Sequence, residues 1–197
     1  MRIYLEWLSL PKTPFKILLY LLQSESLSFS VKNILEFLMI ERYTANIDSV
    51  ECALDYLEKA GVIELTRGDR YYKANIILPT GGWIEIDTDL IRVDDFRKKQ
   101  FSRSVDWGVV IKVLLASISC KGEFTRREIK EITGVGNTTI SDAVFILYHD
   151  FEGTAYRRMI DKVDDCYINH GINLEVGYFG MKRHETEKNR SFTTNNK

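Results

Sequence analysis

The side chains with chemistry to offer fall into two kinds. One is a short polar run, Asn137, Thr138 and Thr139, followed by Ser141 and Asp142. Amides and hydroxyls of this sort suit base edges in a groove of duplex DNA: asparagine matches the paired donor and acceptor of adenine, and threonine can meet a thymine methyl. The other kind is cationic. Arg126, Arg127 and Lys130 lie just upstream of the polar run, with Lys121 further back, and such side chains neutralise phosphates. Arg67 and Arg70 stand beside Gly68 in a turn, with Lys73 beyond; arginines at a hairpin tip reach phosphates or the minor groove. Arg97, Lys98, Lys99 and Arg103 make a third basic group. For each cluster the competing reading is an ordinary solvated surface.

Catalytic chemistry is thinly supplied. The chain has no phosphate-binding glycine loop, no H-E-x-x-H, no Cys-x-x-Cys and no G-x-S-x-G. Gly134-Val135-Gly136 imitates a phosphate loop but lacks its third glycine and follows no expected strand. His149, His170 and His184 are far apart, and only His170 lies near a cysteine, Cys166, so surface or half-buried histidines are expected rather than a metal site. The Asp94-Asp95 and Asp164-Asp165 pairs read as solvated turn carboxylates. The expectation is a protein that is not an enzyme and takes no cofactor or metal.

Composition narrows the options. The chain has 197 residues, of which 45% are hydrophobic and 28% charged, with a formal net charge of -1. Acidic and basic residues nearly balance within each of the segments 1–80, 81–104 and 105–197, so any DNA contact must come from local clustering. No apolar stretch reaches the roughly 18 residues of a membrane span, and no membrane partner is expected. The opening MRIYLEWLSLPKTPFK carries an early acidic residue and no small-residue cleavage site, which speaks against a signal peptide. Cys52, Cys120 and Cys166 are widely spaced and odd in number, unlike a disulfide framework; a cytoplasmic protein is the expectation.

These side chains need elements to position them. Thr13 and Pro14 read as N-cap and first residue of a helix to Leu22. Ser30 precedes a second helix to Ile40, with Val31, Ile34, Leu35 and Leu38 on one face. A third runs from about Asp48 to Lys59, with Val50, Ala53, Leu54 and Leu57 on its core side, and Gly61 ends it. Its other face offers Asp48, Ser49, Glu51, Asp55 and Glu58, a poor match to phosphates. Val62–Thr66 and Tyr71–Leu78 around the Arg67–Arg70 turn read as a hairpin. The segment 79–104 is a connector, in which Trp83–Ile86 suits a short strand. Trp107–Ile118 is apolar nearly all round, which predicts a buried helix. Thr125 with Glu128 forms a capping box, Gly134-Val135-Gly136 breaks the helix, and Asn137 or Thr138 starts the next, to Tyr148. Beyond it, Tyr156, Met159, Ile160, Val163 and Tyr167 permit a helix, whereas Asp164-Asp165 and Asn169-His170-Gly171 permit turns between strands. Ile172–Phe179 reads as a strand. Phe15, Tyr20, Phe37, Tyr56 and Phe145 are expected in the core, and Tyr71-Tyr72 is the one pair suited to stacking or a dimer contact.

Three helices and a hairpin, with Leu54-Asp-Tyr-Leu-Glu-Lys-Ala-Gly-Val-Ile63 at the junction, resemble the winged-helix superfamily. Ile129, Gly134, Val135, Ile140 and Val144 are similar to the helix-turn-helix pattern: a buried first-helix residue, the turn glycine, a buried turn residue and two seats on the recognition helix. Lys130 departs from it, standing where that family keeps a small residue. The resemblance implies a mainly α fold with small β-hairpins (α+β) made of two tandem winged-helix domains, 1–80 and 105–180, joined by a linker, 81–104, and followed by a flexible tail, 181–197. It implies sequence-specific binding of double-stranded DNA by the second unit, in a transcriptional regulator or a replication initiator of plasmid or phage type, with homodimerisation as one arrangement. Initiators usually bring more basic charge, which ranks the regulator ahead. A winged-helix adaptor that contacts only protein is the alternative from a different class.

Overall fold

The computed structural model describes residues 2–24, 28–85, 92–120, 123–151, 161–163 and 166–168. Strand β1 (Arg2–Tyr4) leads through a 3-10 turn (Leu5–Ser9) into helix α1 (Lys12–Gln23). This helix starts two residues before the expected Pro14, with Pro11 as its N-cap and the Phe15 N–H donating to the Pro11 carbonyl at 3.0 Å. Pro14 is accommodated because the first four N–H groups of a helix have no intrahelical acceptor.

Strand β2 (Ser28–Phe29) precedes α2 (Val31–Leu38), which Ser30 caps in a reciprocal box with Asn33. Helix α2 stops at Met39, whose φ of 57° is left-handed. Helix α3 (Thr44–Lys59) begins four residues before the expected Asp48. Its first turn lacks the apolar period and is held by polar contacts instead: Asn46 Nδ2 donates to the Glu41 carbonyl at 2.7 Å, and the Asn46 and Ile47 N–H groups donate to that of Tyr43. Val50, Ala53, Leu54 and Leu57 are buried as their spacing dictates. Strands β3 (Ile63–Arg67) and β4 (Tyr72–Ile76) form the hairpin, and β2 pairs with the far side of β4, giving the order β2-β4-β3.

The connector carries structure of its own. Strand β5 (Trp83–Glu85) pairs antiparallel with β1, and α4 (Val93–Arg97) buries Val93 and Phe96. Helix α5 (Trp107–Ser119) is buried from Val110 to Ile118, as its continuous apolar run requires. Then β6 (Glu123–Phe124), α6 (Arg126–Thr133) and α7 (Asn137–His149) follow, with β7 (Asp161–Val163) and β8 (Cys166–Ile168). Their sheet order is β6-β8-β7. Each half therefore runs helix, two-residue strand, helix, helix, hairpin, and in each the last strand lies between the other two. Of the two options open beyond Tyr148, strands prevail over helix at 161–163 and 166–168. The strand expected at 172–179, the tail 181–197 and Lys121 lie outside the described residues.

The molecule is mixed α+β, with antiparallel pairing throughout the described sheets. A single hydrophobic core runs through both halves, from Ile3 to Phe151. The seam between α1 and α5 carries charge: Lys16 Nζ lies 2.8 Å from Asp106 Oδ2, and the Lys112 ammonium donates to the Leu10 carbonyl beneath the Phe15 ring. Lys112 is buried, and loss of solvation brings its pKa down to about 8 against the opposing pull of Asp106. Among the described residues no helix is long and apolar enough to cross a membrane.

Candidate nucleic-acid interface

Helix α6 owes its start to Thr125. The Thr125 hydroxyl accepts from the Glu128 N–H at 3.2 Å, and Glu128 Oε2 accepts from the Thr125 N–H at 2.6 Å, the reciprocal box its spacing predicts. Its end is fixed twice. Thr133 Oγ1 donates to the Ile129 carbonyl at 2.6 Å and accepts from the Val135 N–H at 3.2 Å. Gly134 adopts φ 69°, with its N–H on the Lys130 carbonyl at 2.8 Å. A Cβ at Gly134 would meet nothing within 4 Å, so backbone conformation, not space, demands glycine there.

Gly136 then serves as N-cap of α7 and brings no side chain to the first-turn N–H groups of Asn137, Thr138 and Thr139. That end carries the positive end of the helix dipole, which favours anions. Ile140, Ala143, Val144, Ile146 and Leu147 seat α7 in the core. Asn137 and Thr138 are exposed, and Thr139, Ser141 and Asp142 half-buried. Together they give the N-terminal half of α7 a polar outer face.

The cations differ in how far the protein itself occupies them. Arg126 donates to the Ser141 hydroxyl at 3.3 Å, a neutral contact that does not offset its charge. Arg127 Nε meets Glu131 Oε1 at 2.9 Å, but with side-chain exposures of 87% and 62% this pair is worth little in water and yields readily to a phosphate. Lys130 is exposed, so its stem does not crowd the approach of α6 to α7. Arg97 is turned inward, with its side chain 16% exposed, onto Asp94 at 2.5 Å and the Phe37 carbonyl at 2.7 Å. Lys98 shares Asp94, and Lys99 lies 5.0 Å from the Phe151 ring centre. The two cations lower the Asp94 pKa, Arg97 contributing most.

In the N-terminal half the equivalent helix is α3, and its acidic face holds the hairpin arginine. Arg67 reaches Asp55 at 2.5 Å and Glu58 at 2.8 Å, and these carboxylates raise its pKa. Tyr72 stacks on Phe29 at 5.8 Å and donates to Glu51 at 3.3 Å. Arg70 and Lys73 remain exposed. Tyr56, expected in the core, is 44% exposed: its neighbours Asp55 and Glu58 lie on the outer face of α3, and the core side is filled by Leu54 and Leu57.

Comparison with protein-family models, with curated proteins and with solved structures finds no match. The site is therefore defined by its own geometry. Arg103, close in sequence to Arg97, Lys98 and Lys99, has different partners and lies beside α7, with Nη1 3.6 Å from Asp142 and Cζ 4.4 Å from the Phe145 ring centre. No local pattern announces this, because the contact joins the connector to a helix distant in sequence. The capture of Arg67 had a signal: Asp55 and Glu58 are spaced for one face of α3, and the hairpin returns the chain past it.

Proposed function

We propose that this chain is a tandem winged-helix protein that binds double-stranded DNA sequence-specifically through α6, the Gly134–Gly136 turn and α7, and acts as a transcriptional regulator. The observation that carries this reading is the pairing of an uncharged polar face at the N-terminal end of α7 with the cations Arg126, Arg127 and Lys130 on α6, none of which meets a buried carboxylate among the described residues. With α7 in the major groove, Asn137, Thr138, Thr139 and Ser141 meet base edges, and the α6 cations hold the phosphates. The near-neutral charge favours a regulator over a replication initiator of plasmid or phage type.

A second reading applies to the N-terminal half. Its α3 face carries Glu51, Asp55 and Glu58 with Arg67 drawn among them, which suits contact with protein, a second copy of the chain included, rather than with phosphate.

Selection of bound fragments from random duplexes, followed by a salt titration, tests the proposal. Specific DNA binding gives an enriched sequence and a slope of about -0.9 in log affinity against log salt for each phosphate contacted. Asn137→Ala or Thr139→Ala shifts the selected sequence, by about 1–3 kcal/mol at the base concerned. No enrichment together with a flat salt response would establish the adaptor reading in its place.

A further inference from the structure

We propose that Arg103 is the second phosphate clamp of the reading helix, delivered to α7 by the connector between the halves rather than by the helix-turn-helix itself. This rests on the DNA-binding reading of α7 and adds to it a phosphate-contacting residue.

Consecutive side chains on an α-helix point about 100° apart, so Ser141 and Asp142 face the two flanks of the outer surface of α7. Each flank holds one guanidinium: Arg126 lies 3.3 Å from the Ser141 hydroxyl, and Arg103 lies 3.6 Å from the Asp142 carboxylate. Two cations straddle one polar helix, as a helix lying between two phosphate rails requires.

The surroundings of Arg103 keep it available. Its guanidinium lies over Phe145, with Cζ 4.4 Å from the ring centre. Attraction to the ring face holds a guanidinium in place without using its N–H donors on an acceptor. The distance to Asp142 exceeds a hydrogen bond, and the Arg103 side chain is 49% exposed. In this it differs from Arg97, which is sunk into the fold on Asp94 and a carbonyl. The backbone beneath it is tied down as well: the Ser102 N–H donates to Asp150 Oδ2 at 2.7 Å, one residue past the end of α7. Arg103 also offsets Asp142, the one carboxylate on this part of α7, which would otherwise repel the phosphates the helix approaches.

The test uses the full chain and a short labelled duplex of random sequence, with affinity measured over a salt series. Arg103→Gln keeps a stem over Phe145 and hydrogen-bonding capacity but removes the charge. It is expected to lower the magnitude of the salt slope by about 0.9, one phosphate contact, and to weaken binding equally at all sequences. Arg103→Lys is expected to keep the slope. A merely structural Arg103 would lower the melting temperature in Arg103→Gln and leave the slope at the wild-type value. That result overturns this inference alone, whereas wild-type protein that binds no duplex at low salt overturns the DNA-binding reading and this inference with it.

Discussion

The two halves share one plan and use their charge differently. Both place a capped helix before a left-handed residue: Ser30 with Asn33 before Met39, and Thr125 with Glu128 before Gly134. Both then seat a longer helix on buried aliphatic residues. The N-terminal helix, α3, carries carboxylates outward and closes them on Arg67. The C-terminal helix, α7, presents amide and hydroxyl groups, with Arg126 and Arg103 at its flanks. A common scaffold thus leaves the outer face of its third helix unconstrained, and the residues there, together with what the neighbouring elements do to them, set what each half can contact.

The strongest test of the shared scaffold is a matched pair of cavities. Leu57 and Ile140 are both 0% exposed, so Leu57→Ala and Ile140→Ala should each lose about 2–5 kcal/mol in denaturant unfolding. A loss well below this at either position would mean that the helix concerned is not seated in the common core.

Next comes the contrast proposed for the two outer faces. Replacing Arg126 and Arg127 together with Ala should weaken DNA binding at every sequence and lower the salt slope by about 2. Arg67→Ala should leave the slope unchanged, because the two carboxylates it meets, Asp55 and Glu58, outnumber its single charge and repel phosphate. Equal effects in the two halves, read from the same titration, would erase the distinction.

The seam between the halves gives a pH signature. Lys112 holds its proton less tightly in the folded protein, with a pKa of about 8 against an ordinary 10.5. Between these values the unfolded chain binds more protons, so stability from this group rises as pH climbs from about 8 towards 10.5 and is flat below that window. Urea unfolding of wild type against Lys112→Met isolates it: the stability of wild type relative to the variant should increase across the window. A constant difference would show that Lys112 titrates normally.

The smallest effects concern the turns. Gly134→Ala should cost about 1–2 kcal/mol through its positive φ. Met39, at φ 57° and 58% exposed, has little packing to lose, so Met39→Gly should be neutral or stabilising by up to about 1 kcal/mol. Thermal melts of the two variants, changing in opposite directions, would sharpen the parallel between the halves.

Much of the scaffold is legible in local chemistry. Thr125 and Glu128 are spaced for a box that forms, Gly134 stands where the backbone turns left-handed, and Val50, Ala53, Leu54 and Leu57 bury as their period requires. The early starts of α1 and α3 escape that logic, since Pro11 replaces Thr13 as the N-cap of α1 and the Asn46–Glu41 contact holds a first turn of α3 that lacks the apolar period. The two-residue strands β2 and β6 are too short to leave a pattern and exist only because β4 and β8 return to pair with them. The candidate site divides in the same way: the polar run Asn137–Ser141 can be read directly and the acidic spacing on α3 hints at the place of Arg67, whereas the positions of Arg97 and Arg103 cannot be read.

By itself, then, the sequence determined the order of elements, the caps and the buried faces, because these depend on residues within a turn or two of one another. Tertiary structure decided what each arginine meets. What a guanidinium meets depends on what distant segments bring within a few ångströms of it: among the described residues, α3 carboxylates for Arg67, a carbonyl of α2 for Arg97, and a ring and a loosely held carboxylate for Arg103.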